Sequence, residues 1–309
     1  MATLKGQNFR ILVEDSGEWK VLGMSTNCTV TLTGNTDESS TKDDVAAASK
    51  PTITSKSWSV SVDTLNIADA GTMLSAVKAM TKFHIIWDEV ATTDNQTAQY
   101  ATFQRGGYAF INDLTLTFND RETCAKNIQL TGSGPVARLD ASPTTDVISL
   151  GSYVKGQYVR LFLGSNNSAV PSKVIGAAKQ LSFHTSMSLE SASTKDTQGD
   201  WDIQEPTSLS FDISFGALMR SDDVIASAVT AQDMAAIEAI YEASEPVKFE
   251  IAHTSGDNQR TKGDVIVSGS VVVTNLTLNG PNRQNADYSG TANGYGIYYV
   301  GAAPTNSNI

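Results

Sequence analysis

Residue types able to do chemistry are few in this chain, and they are scattered. Its three histidines, His84, His184 and His253, each stand alone in a strand-like segment. A catalytic or metal-binding histidine needs partners at triad or ligand spacing, and none is present, so each reads as a surface or satisfied core histidine. Cys28 and Cys124 are the only cysteines. Both lie in the first half of a chain whose second half repeats the first without them. A disulfide framework would not be confined to one copy, so they read as free, buried thiols. Asp43-Asp44 lacks the further oxygen ligands that calcium needs, and Asp222-Asp223 sits just before a helix. Solvated loop and cap are the readings there. Arg105-Gly106-Gly107 precedes a strand rather than a helix and reads as a turn. With no phosphate-binding glycine loop, zinc spacing or nucleophile elbow, the sequence points to no enzyme, no cofactor and no metal.

Composition bounds the rest. The 309 residues suffice for two domains of ordinary size, with 40% hydrophobic and 18% charged residues as in globular chains. Thr, Ser and Val are abundant, which favours sheet over helix. A net charge of −11 and a pI near 4.7 argue against sequence-blind binding to nucleic acid, because the surface repels phosphate. The first ten residues carry no signal-peptide core, and no apolar run approaches the roughly 18 residues of a membrane span. The expectation is a chain folded in a cytoplasm, without a membrane partner.

The elements that must position these residues come in two rounds. Lys5-Gly6-Gln7-Asn8-Phe9-Arg10 returns as Lys155-Gly156-Gln157-Tyr158-Val159-Arg160, and Gly176 answers Gly23. The strand-like Cys28 to Thr33 leads into a long polar excursion, Gly34 to Ser55, carrying Ser40, Thr41, Lys42, Asp43 and Asp44. In the second round Leu181 to Ser186 leads into a loop, Ser191 to Pro206, carrying Ser193, Thr194, Lys195 and Asp196. Helices are expected at Ile67–Thr81, with a stripe of Met73, Val77 and Met80, and before Pro246, with a stripe of Met234, Ile237 and Tyr241. Further matches are Phe83-His-Ile85 with Phe249-Glu-Ile251, Leu114-Thr-Leu116 with Leu276-Thr-Leu278, and Leu130-Thr-Gly132 with Tyr288-Ser-Gly290. Order is kept throughout, so the chain reads as a tandem duplication. The domains are 1–136 and 153–300, joined by a linker at 137–152 and followed by a tail at 301–309. The fold class is mainly β with one short helix per domain.

The strands that return from the two excursions alternate strictly. Trp58, Val60 and Val62, and Leu209, Phe211 and Ile213, face a core. Ser57, Ser59, Ser61 and Asp63, and Ser208, Ser210, Asp212 and Ser214, face away. Such a face has no anchoring hydrophobe. It is either a solvated sheet face or the smooth, hydrated wall of a water-filled passage.

The Lys-Gly-x-x-Phe/Val-Arg strand, the long loop carrying Ser-Thr-Lys-Asp, and the strand Trp58-Ser-Val-Ser-Val-Asp-Thr-Leu65 with the helix after it together resemble the major tail tube proteins of long-tailed, siphovirus-type bacteriophages, here in a tandem-duplicated form. The resemblance covers nearly the whole chain. It implies two tail-tube-like β-sandwich or barrel domains, each with its helix outside the sheet, in a structural virion protein. Stacked rings of it would form a hollow tube that delivers the DNA genome. The usual form has one domain per chain and six chains per ring, so two domains per chain imply three chains in a pseudo-sixfold ring. The resemblance further implies that Ser40–Asp44 and Ser193–Asp196 reach neighbouring subunits or rings, and that the Ser and Asp rows line the lumen. Partners would be the protein itself and the tail-tip, tape-measure and tail-terminator proteins, with DNA passing unbound. The location would be the virion tail, assembled in the host bacterial cytoplasm. The inner tube of a contractile injection system is the alternative, and a β-sandwich adhesin a more distant one, since the loop tips carry no aromatic cluster.

Overall fold

The computed structural model describes residues 9–15, 18–22, 25–38, 51–65, 70–89, 105–138, 154–167, 170–194, 197, 199–219, 231–232, 234–254 and 262–302. Strands dominate. In the first half they are β1 (Phe9–Asp15), β2 (Glu18–Val21), β3 (Ser25–Glu38), β4 (Pro51–Thr64), β5 (Lys82–Glu89), β6 (Arg105–Thr117), β7 (Ala125–Gly132) and the short β8 (Ala137–Arg138), with helix α1 (Ala70–Lys78) between β4 and β5. After a 3₁₀ turn at Gly156–Tyr158 come β9 (Val159–Leu163), β10 (Lys173–Ile175), β11 (Ala178–Ser191), β12 (Gln204–Leu218) and β13 (Ala231–Gln232). Helix α2 (Met234–Ala243), β14 (Val247–Thr254), β15 (Lys262–Asn279) and β16 (Asp287–Val300) complete the chain.

Both halves have one strand order. The first runs β2-β1-β5-β6-β7-β4-β3 and the second β10-β9-β14-β15-β16-β12-β11. Even an irregularity recurs: the β6–β7 register shifts between Ile111 and Asp113, and the β15–β16 register between Val273 and Asn275. A bulge of this kind bends its strand. The N-terminal part of β6 therefore pairs with β5, while its C-terminal part serves a second sheet with β7 and β4. The two sheets enclose the core, where Trp58 of β4 meets Trp87 of β5 at 5.4 Å between ring centroids. In the second half Phe211 of β12 meets Phe249 of β14 at 6.0 Å.

A glycine in each half makes this packing possible. A Cβ on Gly132 would run into the Trp58 ring, and one on Gly294 into the Phe211 ring. These pairs fix the true equivalences. Leu32, opposite Trp58, corresponds to Thr185, opposite Phe211, and Ala109, opposite Gly132, to Val271, opposite Gly294. Leu114 and Leu116 then answer Leu276 and Leu278, as the sequence match has it. Two other matches are corrected: Gly132 answers Gly294 rather than Gly290, and Phe83 and Ile85 answer Val247 and Phe249. Shifts by an even number of residues leave the inward and outward faces unchanged, so alternation alone does not detect them.

Other boundaries move too. The described part of the first helix ends at Lys78 rather than Thr81 and buries Ala70, Met73, Leu74 and Val77, with Met80 beyond its end in a turn at φ 52°. On α2 the buried residues are Ile237 and Ile240, while Tyr241 is exposed. The excursions are shorter than expected, because β3 and β4 extend to Glu38 and from Pro51, and β11 and β12 to Ser191 and from Gln204. Arg105-Gly106-Gly107 is not a turn but the start of β6. Gly106 lies between Ile86 and Ala137, where a Cβ would meet the Ile85 carbonyl.

Replacing Gly132 by alanine forces the Trp58 ring out of place. The expected cost is about 1–3 kcal/mol, read as a lower urea midpoint with an unchanged slope. A midpoint equal to that of the native chain would show that the close approach is not required.

Candidate functional site

One sheet runs through both halves in the order β3-β4-β7-β6-β11-β12-β16-β15. Its face away from the core holds every outward residue expected from sequence: Ser57, Ser59, Ser61 and Asp63 on β4, and Ser208, Ser210, Asp212 and Ser214 on β12. Neighbouring strands tie them into a polar ladder. Asn127 donates to Asp63 at 2.6 Å, Gln129 donates to Ser61 at 3.0 Å, and Ser186 and Ser210 share a bond of 2.8 Å. At the middle, His184 bridges Asp113 at 2.8 Å and Asp212 at 2.7 Å. Asp113, Asn127, Gln129 and His184 are not legible from sequence as members of this face, since only the strand order places them beside the two serine rows. The residues named here include three aspartates and one histidine, and no lysine or arginine.

The two halves meet at a seam with three parts. Strand β11 pairs with the C-terminal part of β6, from Ser182 opposite Thr117 to Ser186 opposite Asp113. The segment between β11 and β12 folds back on the first half. Lys56 pairs with Trp201, Asp202 N–H donates to the Lys56 carbonyl at 2.9 Å, and Gly134 N–H donates to the Asp202 carbonyl at 2.8 Å. The Ser133 hydroxyl donates to the Gln204 carbonyl and accepts from the Gln204 N–H. Of the loop candidates, Ser193 closes this segment by accepting from Ile203 N–H at 2.9 Å, and Thr194 bonds Thr197. Both therefore belong to a segment that contacts the other half of the same chain. Lys195 and Asp196, like Ser40 to Asp44 and the paired aspartates 43–44 and 222–223, lie outside the described residues. On the core side, α1 crosses the seam, where the buried Tyr298 of β16 donates to the Leu74 carbonyl at 2.7 Å.

The strand edge, the Ser133–Gly134 turn and the helix of this seam have counterparts elsewhere in the described structure. Among the described residues, strand β3 pairs only with β4, and beyond Val271 β15 pairs only with β16. Leu32 and Leu278 are 53% and 48% exposed, where their internal counterparts Thr185 and Leu116 are 0%. Ser133 and Gly134 correspond to Tyr295 and Gly296. Both glycines have positive φ, and Tyr295 and its neighbour Ile297 are exposed. Val77 of α1 is fully buried, whereas its counterpart Tyr241 of α2 is exposed. Ile53, near the far end of the β3–β4 hairpin, is exposed as well. Among the described residues, six of the eight large exposed hydrophobics thus lie at these two edges, the others being Tyr108 and Val170.

No family model matches the sequence, and no curated protein matches it. Solved structures do. A structure titled as the tail of an empty GTA particle, refined with C6 symmetry, is 14% identical at a TM-score of 0.38, over 48% of this chain and 99% of its own. One from the virion of a native gene transfer agent is 16% identical at 0.35, over 48% and 99%. The SPP1 tail tube is 18% identical at 0.37, over 49% and 81%.

His84 lies 3.2 Å from Glu14 and stacks on Tyr108, and His253 tilts against Tyr158. Among the described residues no group of histidine, cysteine and acidic side chains is arranged to hold a metal, and no helix is long and apolar enough to cross a membrane. Both cysteines are free, Cys28 half-buried and Cys124 buried. Burial pushes the Cys124 thiol up to about 12 and raises that of Cys28. Thiolate is the reactive form, so Cys124 should resist a disulfide reagent at pH 8 in the folded chain and react in denaturant. Rapid native labelling of Cys124 would show the first core to be open.

Proposed function

We propose that this chain is a structural protein that polymerises head to tail into rings, and that stacked rings form the hollow tail tube of a phage-type particle through which its DNA passes. The observation that carries the reading is the pair of open surfaces matching the two sides of the internal seam. A contact made between different surfaces propagates from chain to chain until rotation closes it. With two domains per chain, three chains form a pseudo-sixfold ring.

The internal seam supplies the register between chains. Applied to β3 of one chain and β15 of the next, it sets Thr29 opposite Asn279, Val30 opposite Leu278, Thr31 opposite Thr277, Leu32 opposite Leu276, and Thr33 opposite Asn275. The segment after β3 then falls on the next chain near Leu209 and Tyr295–Gly296, as 192–203 falls on Lys56 and Ser133–Gly134. This is the role proposed for Ser40 to Asp44. Closure covers the exposed leucines and satisfies two open strand edges at once.

The polar face becomes the inner wall. Ser57, Ser59, Ser61, Asp63, Ser208, Ser210, Asp212 and Ser214 then line the bore, hydrated and without anchoring hydrophobes. A three-chain ring carries a formal charge of 3 × −11 = −33. Screening over about 8 Å at physiological salt means that only the wall aspartates act on passing DNA. They keep a polyanion from sticking. Tail-tip, tape-measure and terminator proteins are the further partners of this role, the virion tail its place, and the host bacterial cytoplasm the site of assembly. The reading assigns no catalysis to the chain.

Leu32→Lys should leave a folded monomer that no longer forms rings or tubes in negative-stain images. Leu276→Glu should do the same. The double variant places lysine opposite glutamate and should recover assembly, because the two charges then meet across each contact between chains. Tubes from either single variant, or no recovery in the double variant of a folded chain, would contradict the proposed register.

A further inference from the structure

The seam inside the chain and the proposed seam between chains share a backbone plan but not a chemistry. Inside, His184 on β11 sits between Asp113 of the first half and Asp212 of the second, each about a third exposed. At the open edges the equivalent positions hold Thr31, Asn275 and Ser59, all uncharged. We infer that Asp113, His184 and Asp212 form a lock that directs the second half onto the first half of its own chain, so that seams alternate between charged and neutral around the assembly. The alternation rests on the ring reading above, while the lock itself stands in the single chain.

Consider the two wrong pairings. Strand β11 docked on a β15 edge keeps Asp212 but sets His184 beside Asn275, losing one charge-assisted bond. Strand β3 docked on a β6 edge leaves Asp113 facing Thr31 and Ser59, with no cation. Correct pairing alone gives a histidine with two carboxylates at one seam and hydroxyls with an amide at the other. Such matching selects partners even where it adds little affinity.

The lock also has a pH sign. Asp113 on β6 and Asp212 on β12 are the charged groups of the flanking strands that face His184, and Asp63 stands further along the same row. Burial opposes the charged imidazole, but the hydrogen bonds and charges of Asp113 and Asp212 outweigh it and raise the His184 pKa. The contribution is fully present below the ordinary histidine value of about 6.5 and is lost as pH rises through the raised one. Neutral imidazole donates from one nitrogen only, so one carboxylate then faces a lone pair.

The test has two arms. In the first, a chain kept monomeric by Leu278→Lys is followed by histidine NMR and by unfolding from pH 6 to 9, beside the same chain carrying His184→Gln or Asp212→Asn. His184 should titrate above about 6.5, and the parent should lose stability with rising pH more steeply than either variant. Titration at or below the ordinary value, or identical pH profiles, would overturn the lock. In the second arm Thr31→His, Ser59→Asp and Asn275→Asp install the lock between chains. The concentration for half-assembly should then rise several-fold from pH 6 to 9 relative to the native chain, and equal pH dependence would count against it. If the native chain assembles under no condition, the ring reading fails while the first arm still decides the lock.

Discussion

An unpaired strand edge is the constraint on which this molecule is built. A row of free N–H and C=O groups invites another strand, and proteins must cover, blunt or use it. Here the bulge after Ile111 turns the end of β6 away from β5 and leaves that edge open on one side. Strand β11 closes it. The repeat then recreates the problem at β15, where the shift after Val273 frees the same stretch. Among the described residues no strand closes it there. In the proposed ring, the open edge of β15 and the lone β3 are the two halves of one contact.

The rest of the structure serves that contact. The bent long strands let one half contribute to two sheets, so a closed core can coexist with an open edge. Gly132 and Gly294 admit the large rings that hold those sheets together. Helix α1 adds a bolt across the back of the seam through Tyr298 and Leu74, and α2 presents Tyr241 where the next such bolt would fall. On the front, Asn127 and Asp63, Gln129 and Ser61, Ser186 and Ser210, and His184 with its two aspartates bond to one another across strands.

Much of this was legible in sequence, and what was missed had a physical reason. Period-two alternation assigned the inward residues Trp58, Val60 and Val62 and the outward serines, because side-chain direction in a strand depends on position alone. The same periodicity hid the register: a slip of two or four residues keeps every residue on its face. Hence Gly132 was set against Gly290 rather than Gly294, and Phe83 against Phe249 rather than Val247. Helix α2 was read with Tyr241 in its buried stripe, since spacing does not say which end of a helix lacks a neighbour. His184 reads from sequence as a surface or satisfied core histidine; Asp212 stands opposite it on the paired β12, but Asp113 reaches it only where the two halves meet. The polar stretch after Thr33 reads as loop from sequence, yet it continues as strand to Glu38, since an exposed hairpin needs no apolar face to keep its ladder.

The most direct test of the shared-seam idea is a disulfide between two residues that the internal pairing sets opposite each other between chains. Thr31→Cys and Thr277→Cys, with Cys28 and Cys124 replaced by serine, place two thiols on directly opposed positions, where Cα atoms about 4.5–5.5 Å apart fall within disulfide range. Mild oxidation of assembled material, followed by non-reducing electrophoresis, reads the result. A covalent ladder that stops at three chains is the outcome the duplicated seam requires. Assembled tubes without this cross-link would mean that the internal seam is not the pattern for the contact between chains, and a ladder that continues past three would mean that the ring does not close at three chains.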